Sequence, residues 1–386
     1  MNRTKKISNR LFSFFFAKKT WARPSNCDVL IYHRNGSETL LPYLRHLRVE
    51  ILPSVGDVIN IPLLFFAVYK SIFSKGTLIH FYILSYISLA KPKLVITTVD
   101  NDPKFYTISK SSGVITAFIQ NGLRDEFYFK KLVNSVDNHV DYMFLFNACI
   151  FAEYRKYISG TPVIIGSIKN NAHPKNQSKK TGSVLFISQF RSNNSSFAAS
   201  FAHEYGSPIS YDTHYSVEES VLPLLSSWAL ASKMKLRICG ASSVNNEIEE
   251  EFYRNLLGGD DFEFLPRMDG VSSYAQLDTA DFVVSIDSAM GYEALARGCK
   301  VAVFACRGKI FNTDSRNFGW PCNVEPKGLF WTNEMSEKEV FRILSFLRDI
   351  NKEDWAEILE NFKSDIVQYD LDNKLLVNLI NDIFPT

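Results

Sequence analysis

Ser285-Ile286-Asp287-Ser288-Ala289-Met290-Gly291-Tyr292-Glu293-Ala294-Leu295-Ala296-Arg297-Gly298 closes an apolar run that begins at Phe282. A short β-rich run halted by Asp-Ser reads as a buried strand ending at Ser285 or Ile286, with Asp287 and Ser288 as helix-capping residues. A helix opening at Ala289 offers unpaired N–H groups and a positive dipole end, which suits a phosphate. Glu293, about one turn on, can accept hydrogen bonds from vicinal hydroxyls such as those of a ribose. Gly298 suits the position after a helix end. The same pattern also fits a plain capped helix between two strands of an α/β sheet.

The alternation continues on both sides of this stretch. In the second half, strands are expected at Val184–Ser188, Leu236–Cys239, Phe262–Leu265, Phe282–Ile286 and Val301–Phe304, with helical periodicity between them. In the first half, Cys27–Tyr32, Val49–Leu52, Leu94–Thr98, Val114–Ile119, Tyr142–Phe146 and Val163–Ile165 have the same character. Ile61–Tyr69 and Leu78–Ala90 read as buried helices. Ser167–Gly182 has no apolar period and is the best linker. Strands alternating with helices imply parallel sheets built from β-α-β crossovers. The expected fold class is therefore α/β, with two Rossmann-like lobes whose parallel sheets face an interlobe cleft. The expected division is an arm at 1–24, a first lobe at 25–166, a linker at 167–182 and a second lobe at 183–345. The tail from Glu337 to Ile383 is helical by period, and 346–386 is set apart as C-terminal helices.

Composition narrows the function. The chain of 386 residues carries 43 Lys plus Arg against 41 Asp plus Glu, a net charge of +2, too small a basic excess for general nucleic-acid binding. Arg3, Lys5, Lys6, Arg10, Lys18, Lys19 and Arg23 all precede residue 25 with no carboxylate among them. With Leu11, Phe12, Phe14, Phe15 and Phe16, this arm is a candidate for contact with an anionic inner leaflet, or else a solvated tail. No apolar run reaches membrane-spanning length, and Lys18-Lys19 stands where a signal peptide would need small residues. The six cysteines are scattered without a C-x-x-C pair, so neither a zinc site nor a disulfide framework is expected, and a reduced, cytoplasmic compartment fits.

Loops just after strands carry the chemistry in such folds. Ser188, Gln189 and Arg191 follow the first strand of the second lobe, where Arg191 can grip a diphosphate or a sugar carboxylate, or simply sit exposed in a loop. Pro266-Arg267 can clamp a nucleobase edge or form a tight turn. In the first lobe, Asp100-Asn101-Asp102-Pro103 and Gln120-Asn121-Gly122-Leu123-Arg124-Asp125-Glu126 supply carboxylates for a general base. Such residues also form Asx-turns and caps. His33, Arg34 and Glu38 make a third polar strand-end group. The chain contains no G-x-x-x-x-G-K-[ST] loop, no G-x-G-x-x-G after a strand and no G-x-S-x-G elbow.

Residues 286–298 resemble the D-S-x-x-G-Y-E-A-L-A-x-G stretch of a bacterial surface carbohydrate (O-antigen and capsule) biosynthesis family of glycosyltransferases. Val184–Arg191, Gly166–Asn171, Arg34-Asn35-Gly36-Ser37-Glu38, Asp100-Asn101-Asp102 with Phe105-Tyr106, and Gln120-Asn121-Gly122 are similar to that family too. The resemblance implies a GT-B fold with the donor nucleotide in the second lobe, the acceptor in the first, no essential metal or cofactor, and C-terminal helices within 346–386 that pack back on the first lobe, as Leu375–Ile383 could. Carried over, Ser188, Arg191 and Ser288 would face donor phosphate, Glu293 the ribose, and Pro266-Arg267 the base, with Gln189, Asp287 and Ala289 also at the donor site. The catalytic group would be drawn from Asp100, Asn101, Gln120 and Asn121. Related capsule enzymes often have His-Gly where this chain has Asn121-Gly122, which leaves Asp100 as the leading base. The implied partners are a CMP-, UDP-, GDP- or dTDP-linked sugar and a glycan or lipid-linked acceptor, with the protein cytoplasmic and peripheral on the inner membrane. A nucleotide-sugar 2-epimerase and a non-catalytic nucleotide-sugar-binding assembly protein are the alternatives.

Overall fold

The computed structural model describes residues 16–54, 57–74, 76–176, 180–193, 209–242, 244, 246–259, 261–269, 272–363 and 365–385. Its strands are β1 (Lys18–Thr20), β2 (Val29–Ile31), β3 (Val49–Ile51), β4 (Val58–Asn60), β5 (Leu94–Thr97), β6 (Ile115–Ile119), β7 (His139–Leu145) and β8 (Ser159–Ile164) in the first half. The second half has β9 (Ser183–Ile187), β10 (Lys235–Cys239), β11 (Glu263–Leu265), β12 (Phe282–Ser285), β13 (Val301–Phe304) and β14 (Trp331–Thr332). The helices that bear on function are α1 (Ile61–Phe73), α2 (Leu78–Ala90), α3 (Glu126–Lys130), α4 (Ala148–Tyr154), α5 (Tyr211–Ala231), α6 (Asn246–Leu256), α7 (Ala289–Ala296), α8 (Arg307–Ile310), α9 (Glu337–Asp349), α10 (Lys352–Glu360) and α11 (Lys374–Ile383).

Two sheets result, each parallel throughout: β3-β2-β5-β6-β7-β8 in the first lobe and β11-β10-β9-β12-β13-β14 in the second. The central strands are almost wholly buried because helices cover both faces, which is why they read as continuous Val/Ile/Leu/Phe runs. The strand order reverses between β2 and β5 in one sheet and between β9 and β12 in the other. At such switch points the flanking connections diverge and leave a crevice at the carboxyl ends of the strands.

Three features depart from the sequence reading. First, of the helices in 346–386 only α11 packs back on the first lobe, where Leu376, Ile380 and Ile383 meet Val29, Ile31, Leu94 and Ile96, whereas Trp355 and Leu359 of α10 belong to the second lobe's core. Asn373, just ahead of α11, donates to the Tyr43 hydroxyl at 2.6 Å and to the Ile168 carbonyl at 2.9 Å.

Second, α1 is not a buried helix. Only Leu63 and Ala67 are fully covered, while Phe65, Phe66, Tyr69, Ile72 and Phe73 are exposed. Its run of apolar residues carries no polar stripe to mark which side would face water. Beside it, part of the expected arm is ordered: Lys18–Thr20 pairs in parallel with Val58–Asn60. The arm's Leu11, Phe12, Phe14 and Phe15 lie outside the described residues.

Third, Cys149 and Cys322 form a disulfide, where no disulfide framework was expected; their Cα atoms are 5.5 Å apart. It joins α4 of the first lobe to the segment between β13 and β14 of the second. Cysteines 173 positions apart in the chain give no local spacing signal for such a pair. Cys27, Cys239, Cys299 and Cys306 are free and buried. No helix among the described residues is long and apolar enough to cross a membrane.

Candidate functional site

The second lobe's switch point gathers much of what the sequence singled out. A cavity of about 260 Å³ at the ends of β9, β10 and β12 is lined by Ser188, Gln189, Arg191, Gly240, Arg267 and Ser288, among others. α7 enters beside it. Ser288 is its N-cap, accepting from the Met290 N–H at 3.3 Å. Gly291 is required by close approach: a Cβ there would lie 2.4 Å from Ser285 Oγ, so only glycine lets α7 sit this near β12. The helix axis thus brings its positive end to the cavity. Arg267 is steadied across the cavity by the Ala241 carbonyl at 3.2 Å and the Asp269 carbonyl at 3.0 Å. Arg191 reaches the same cavity from the end of β9, where the Tyr215 hydroxyl accepts its backbone N–H at 2.6 Å.

Several expected roles change once side chains are placed. Ser188 does not aim its hydroxyl proton at a phosphate. It donates to the fully buried Glu249 of α6, while Tyr253 donates to Ser188 Oγ at 2.7 Å. Glu249 also accepts the Ala241 N–H at 2.8 Å and the Ser242 N–H at 3.1 Å, so it holds the loop that forms the cavity wall. Burial pushes the Glu249 carboxyl up, against the pull of these donors.

Asp287, expected at the donor site, has its carboxylate turned to two arginines instead. Oδ1 lies 2.6 Å from Arg307 Nη1 and Oδ2 lies 3.6 Å from Arg316 Nη1. Glu293 is absent from the cavity wall: its Oε2 accepts from the Tyr274 hydroxyl at 3.1 Å. Burial raises its carboxyl, and hydrogen bonds from Ser167 and Tyr274 oppose that shift. Pro266 leads into Arg267 but does not line the cavity, whereas Ala289 opens α7 beside it.

Asp100 is a further correction. Its side chain is 0% exposed and lies in a two-point ion pair with Arg124, with the Tyr154 hydroxyl donating to it at 2.5 Å. A carboxylate so enclosed cannot meet an acceptor hydroxyl; it orients Arg124. Gln120 is equally internal, donating to the Gly122 carbonyl at 2.8 Å and accepting the Phe146 N–H at 3.1 Å. Asn101 and Asn121 are exposed at the same strand ends.

The accessible pair in the first lobe is instead His33 with Asp102, at the β2/β5 switch point. His33 Nε2 lies 3.4 Å from Asp102 Oδ2 and Nδ1 lies 2.9 Å from Thr97 Oγ1. Their side chains are 27% and 21% exposed, which admits a ligand. Burial works to raise the Asp102 carboxyl, but His33 and the Lys104 N–H outweigh it and hold it below its ordinary value. A carboxylate bonded to an imidazole orients it and stabilises its protonated form.

Two arginines went unnoticed in the sequence. Arg307 opens α8, is 1% exposed, and contacts Glu218, Asp287, Gln189 (2.9 Å) and the His214 carbonyl (3.2 Å). Arg316 spans the lobes, 3.4 Å from Asp125 at the N-cap of α3. Arg307 stands three residues beyond β13, so the strand-end rule that found Arg191 points to it as well. Nearby, Thr313 donates to Glu126 at 3.1 Å, and Asp287, Tyr292, Arg316 and Trp320 meet Arg124 and Asp125 around a small interlobe pocket. A larger groove of about 1200 Å³ is lined by residues at the opposite, amino-terminal ends of β12 and β13, away from this cluster. Among the described residues no three His, Cys, Asp or Glu side chains gather as a metal site would require.

The family model described as "putative O-antigen biosynthesis protein" matches residues 117–383, most of the chain. The chain belongs to this family. Its fold is that of UDP-GlcNAc 2-epimerases with the GT-B architecture. One such neighbour is the Neisseria meningitidis enzyme bound to UDP-GlcNAc, at 10% identity and a TM-score of 0.51, covering 92% of this chain and 99% of that one. The Staphylococcus aureus MnaA–UDP structure is similar at 13% identity and a TM-score of 0.50, with 92% and 95% covered. The Methanocaldococcus jannaschii UDP-GlcNAc 2-epimerase is similar at 9% identity and a TM-score of 0.50, with 91% and 98% covered. No curated protein sequence matches the chain. As an O-antigen family member with two GT-B lobes, the chain presents the described cavity at the second lobe's switch point and the His33–Asp102 pair at the first's.

Proposed function

We propose that this O-antigen family member is a glycosyltransferase that moves a sugar from a nucleotide-linked donor to a glycan or lipid-linked acceptor during bacterial surface polysaccharide assembly at the cytoplasmic face. The observation that carries the reading is the cavity at the ends of β9, β10 and β12, where Arg191, Arg267 and the N-terminus of α7 converge. Cationic forks and oriented N–H groups stabilise a departing nucleotide phosphate, and they do so without reorganising during the reaction. UDP, named for the structural neighbours, is the first nucleotide to test.

In this reading Asp102 takes the proton of the acceptor hydroxyl, while His33, whose two ring nitrogens face Asp102 and Thr97, holds that carboxylate in place. The oxygen then attacks the anomeric carbon as the bond to the nucleotide phosphate breaks. Arg307 and Glu249 act by position, the first through Gln189 and Asp287, the second through Ser188 and the 240–242 loop. Interconversion of a nucleotide-sugar with no acceptor would replace transfer by 2-epimerisation. That chemistry moves a proton at a sugar carbon, and the enclosed Asp100 and the paired Asp287 are poorly disposed to do so.

The test is thermal denaturation with UDP, CMP, GDP and dTDP, followed by transfer assays with the matching sugars. One nucleotide should raise the melting temperature, since a ligand that binds only the folded state stabilises it by mass action. Arg191→Ala and Arg267→Ala should abolish that rise, while Asp102→Ala should keep it and lose turnover. Full activity in all three variants would overturn the assignment.

A further inference from the structure

The outer face of α1 lines none of the cavities described above, yet it exposes Phe65, Phe66, Val68, Tyr69, Ile72 and Phe73 on one short helix. Phe65 is 68% exposed, Tyr69 61%, Ile72 70% and Phe73 72%. Buried Leu63 and Ala67 fix the opposite face to the lobe, so the helix lies flat on the surface with these side chains pointing outward. Contiguous apolar patches of this kind mark interaction sites.

What surrounds the patch says what it meets. Lys70 sits on the helix itself, its Nζ 5.0 Å from the Phe66 ring centroid. The arm is fastened to the start of α1: Asn60 caps the helix and donates to the Ala22 carbonyl at 2.6 Å, and β1 pairs with β4 alongside. That brings exposed Lys18, Arg23 and Trp21 (69% exposed) to the same end. No Asp or Glu occurs before Asp28, nor between Asp57 and Asp100. Asp28 is neutralised by a two-point pair with Arg48, and between Asp28 and Asp100 the exposed carboxylates among the described residues include Glu38 and Asp57.

We infer that the α1 face, with the β1 arm, is a docking surface for an anionic lipid bilayer, with Phe65, Tyr69, Ile72 and Phe73 entering the headgroup boundary and the lysines and arginines meeting lipid phosphates. Aromatic and aliphatic side chains on a flat helix inside a cationic collar have the chemistry of an interfacial element, in which long basic side chains reach headgroups while their stems cover apolar surface. The inference does not rest on the transferase reading: it can fail while nucleotide binding stands, and the reverse.

The experiment is sedimentation of the full-length protein with vesicles of phosphatidylcholine alone and of phosphatidylcholine with 30% phosphatidylglycerol. At least tenfold stronger partitioning to the anionic vesicles is expected, weakening as salt rises. Phe65→Ser with Ile72→Ser should lower it at least tenfold, and Lys18→Glu with Lys70→Glu likewise, with circular dichroism and nucleotide-induced stabilisation unchanged. Equal binding to both vesicle types, or variants that bind like the parent, would overturn the inference. So would a solution dimer dispersed by Phe65→Ser with Ile72→Ser, which would make a second copy the occupant. If the variants unfold, selective labelling of a cysteine at Ile72 (Ile72→Cys) decides: protection by anionic vesicles supports the inference and full reactivity refutes it.

Discussion

Replacing Arg307 by Met tests whether the cavity's supporting frame is ionic. The guanidinium contacts Glu218 and Asp287 from a position 1% exposed, and Glu218 is itself 0% exposed. With the cation gone, Asp287 keeps Arg316 at 3.6 Å, but Glu218 loses its ion-pair partner. Burial already pushes the Glu218 carboxyl above its ordinary value, against the pull of Arg307. Removing Arg307 pushes it further, until the group accepts a proton. Protonating a carboxyl of ordinary pKa about 4.3 costs about 3.7 kcal/mol at pH 7 and about 1 kcal/mol at pH 5. That ceiling sits within the roughly 3–5 kcal/mol typical of breaking a buried ion pair from one side. The variant's folded state therefore holds a proton that its unfolded state releases, and the loss relative to the parent grows as pH rises from 5 to 7. Urea unfolding of parent and variant at both pH values measures the difference. Expected are about 3–5 kcal/mol lost at pH 7 and a loss smaller by at least 2 kcal/mol at pH 5, with partial recovery in Arg307→Met/Glu218→Gln. A loss below about 1 kcal/mol at pH 7, or one that ignores pH, would refute the ionic account.

His214 is 5% exposed, and burial together with Arg307 lowers its imidazole to about 2. The unfolded chain takes up this proton near pH 6.5 while the folded chain does not, so stability falls as pH drops below that value. From this one group the loss is about 2.7 kcal/mol by pH 4.5, and His214→Gln should flatten the acid limb of a urea-unfolding series accordingly. Gly291→Ala places a Cβ 2.4 Å from Ser285 Oγ and should cost about 1–3 kcal/mol in denaturant midpoint, with nucleotide binding weakened as α7 lifts from β12. Reducing the Cys149–Cys322 bond, whose partners are 173 residues apart, should lower stability by up to roughly 5 kcal/mol; equal unfolding curves with and without reductant would refute a structural role.

The parallel sheets and the α7 stretch are legible in the sequence because a buried strand must be apolar along its length and a helix entry must be capped. Arg191, Arg267 and Ser288 follow from the same rule and do reach one cavity. The roles of Asp100 and Asp287 do not follow, because a loop carboxylate looks the same whether it faces solvent or an arginine distant in sequence. Arg124, Arg307 and Arg316 supply those partners only after folding. The exposure of α1 is hidden for the converse reason. A sequence apolar all round does not say which side the lobe leaves uncovered, and only the placement of Leu63 and Ala67 decides it.

The return of α11 to the first lobe makes that lobe discontinuous in sequence, with the second lobe set into it as an insertion held by two passing strands of chain. Truncation after Gln368 would therefore injure the distant partner rather than its neighbour. It strips Leu376, Ile380 and Ile383 from the face of β2 and β5 and leaves the second lobe's own core residues in place. A segment beginning near Ser183 and ending near Gln368, which keeps Ile366 and Val367 in the second lobe's core, is the natural autonomous fragment, whereas residues 1–166 alone would need the last helix supplied in trans.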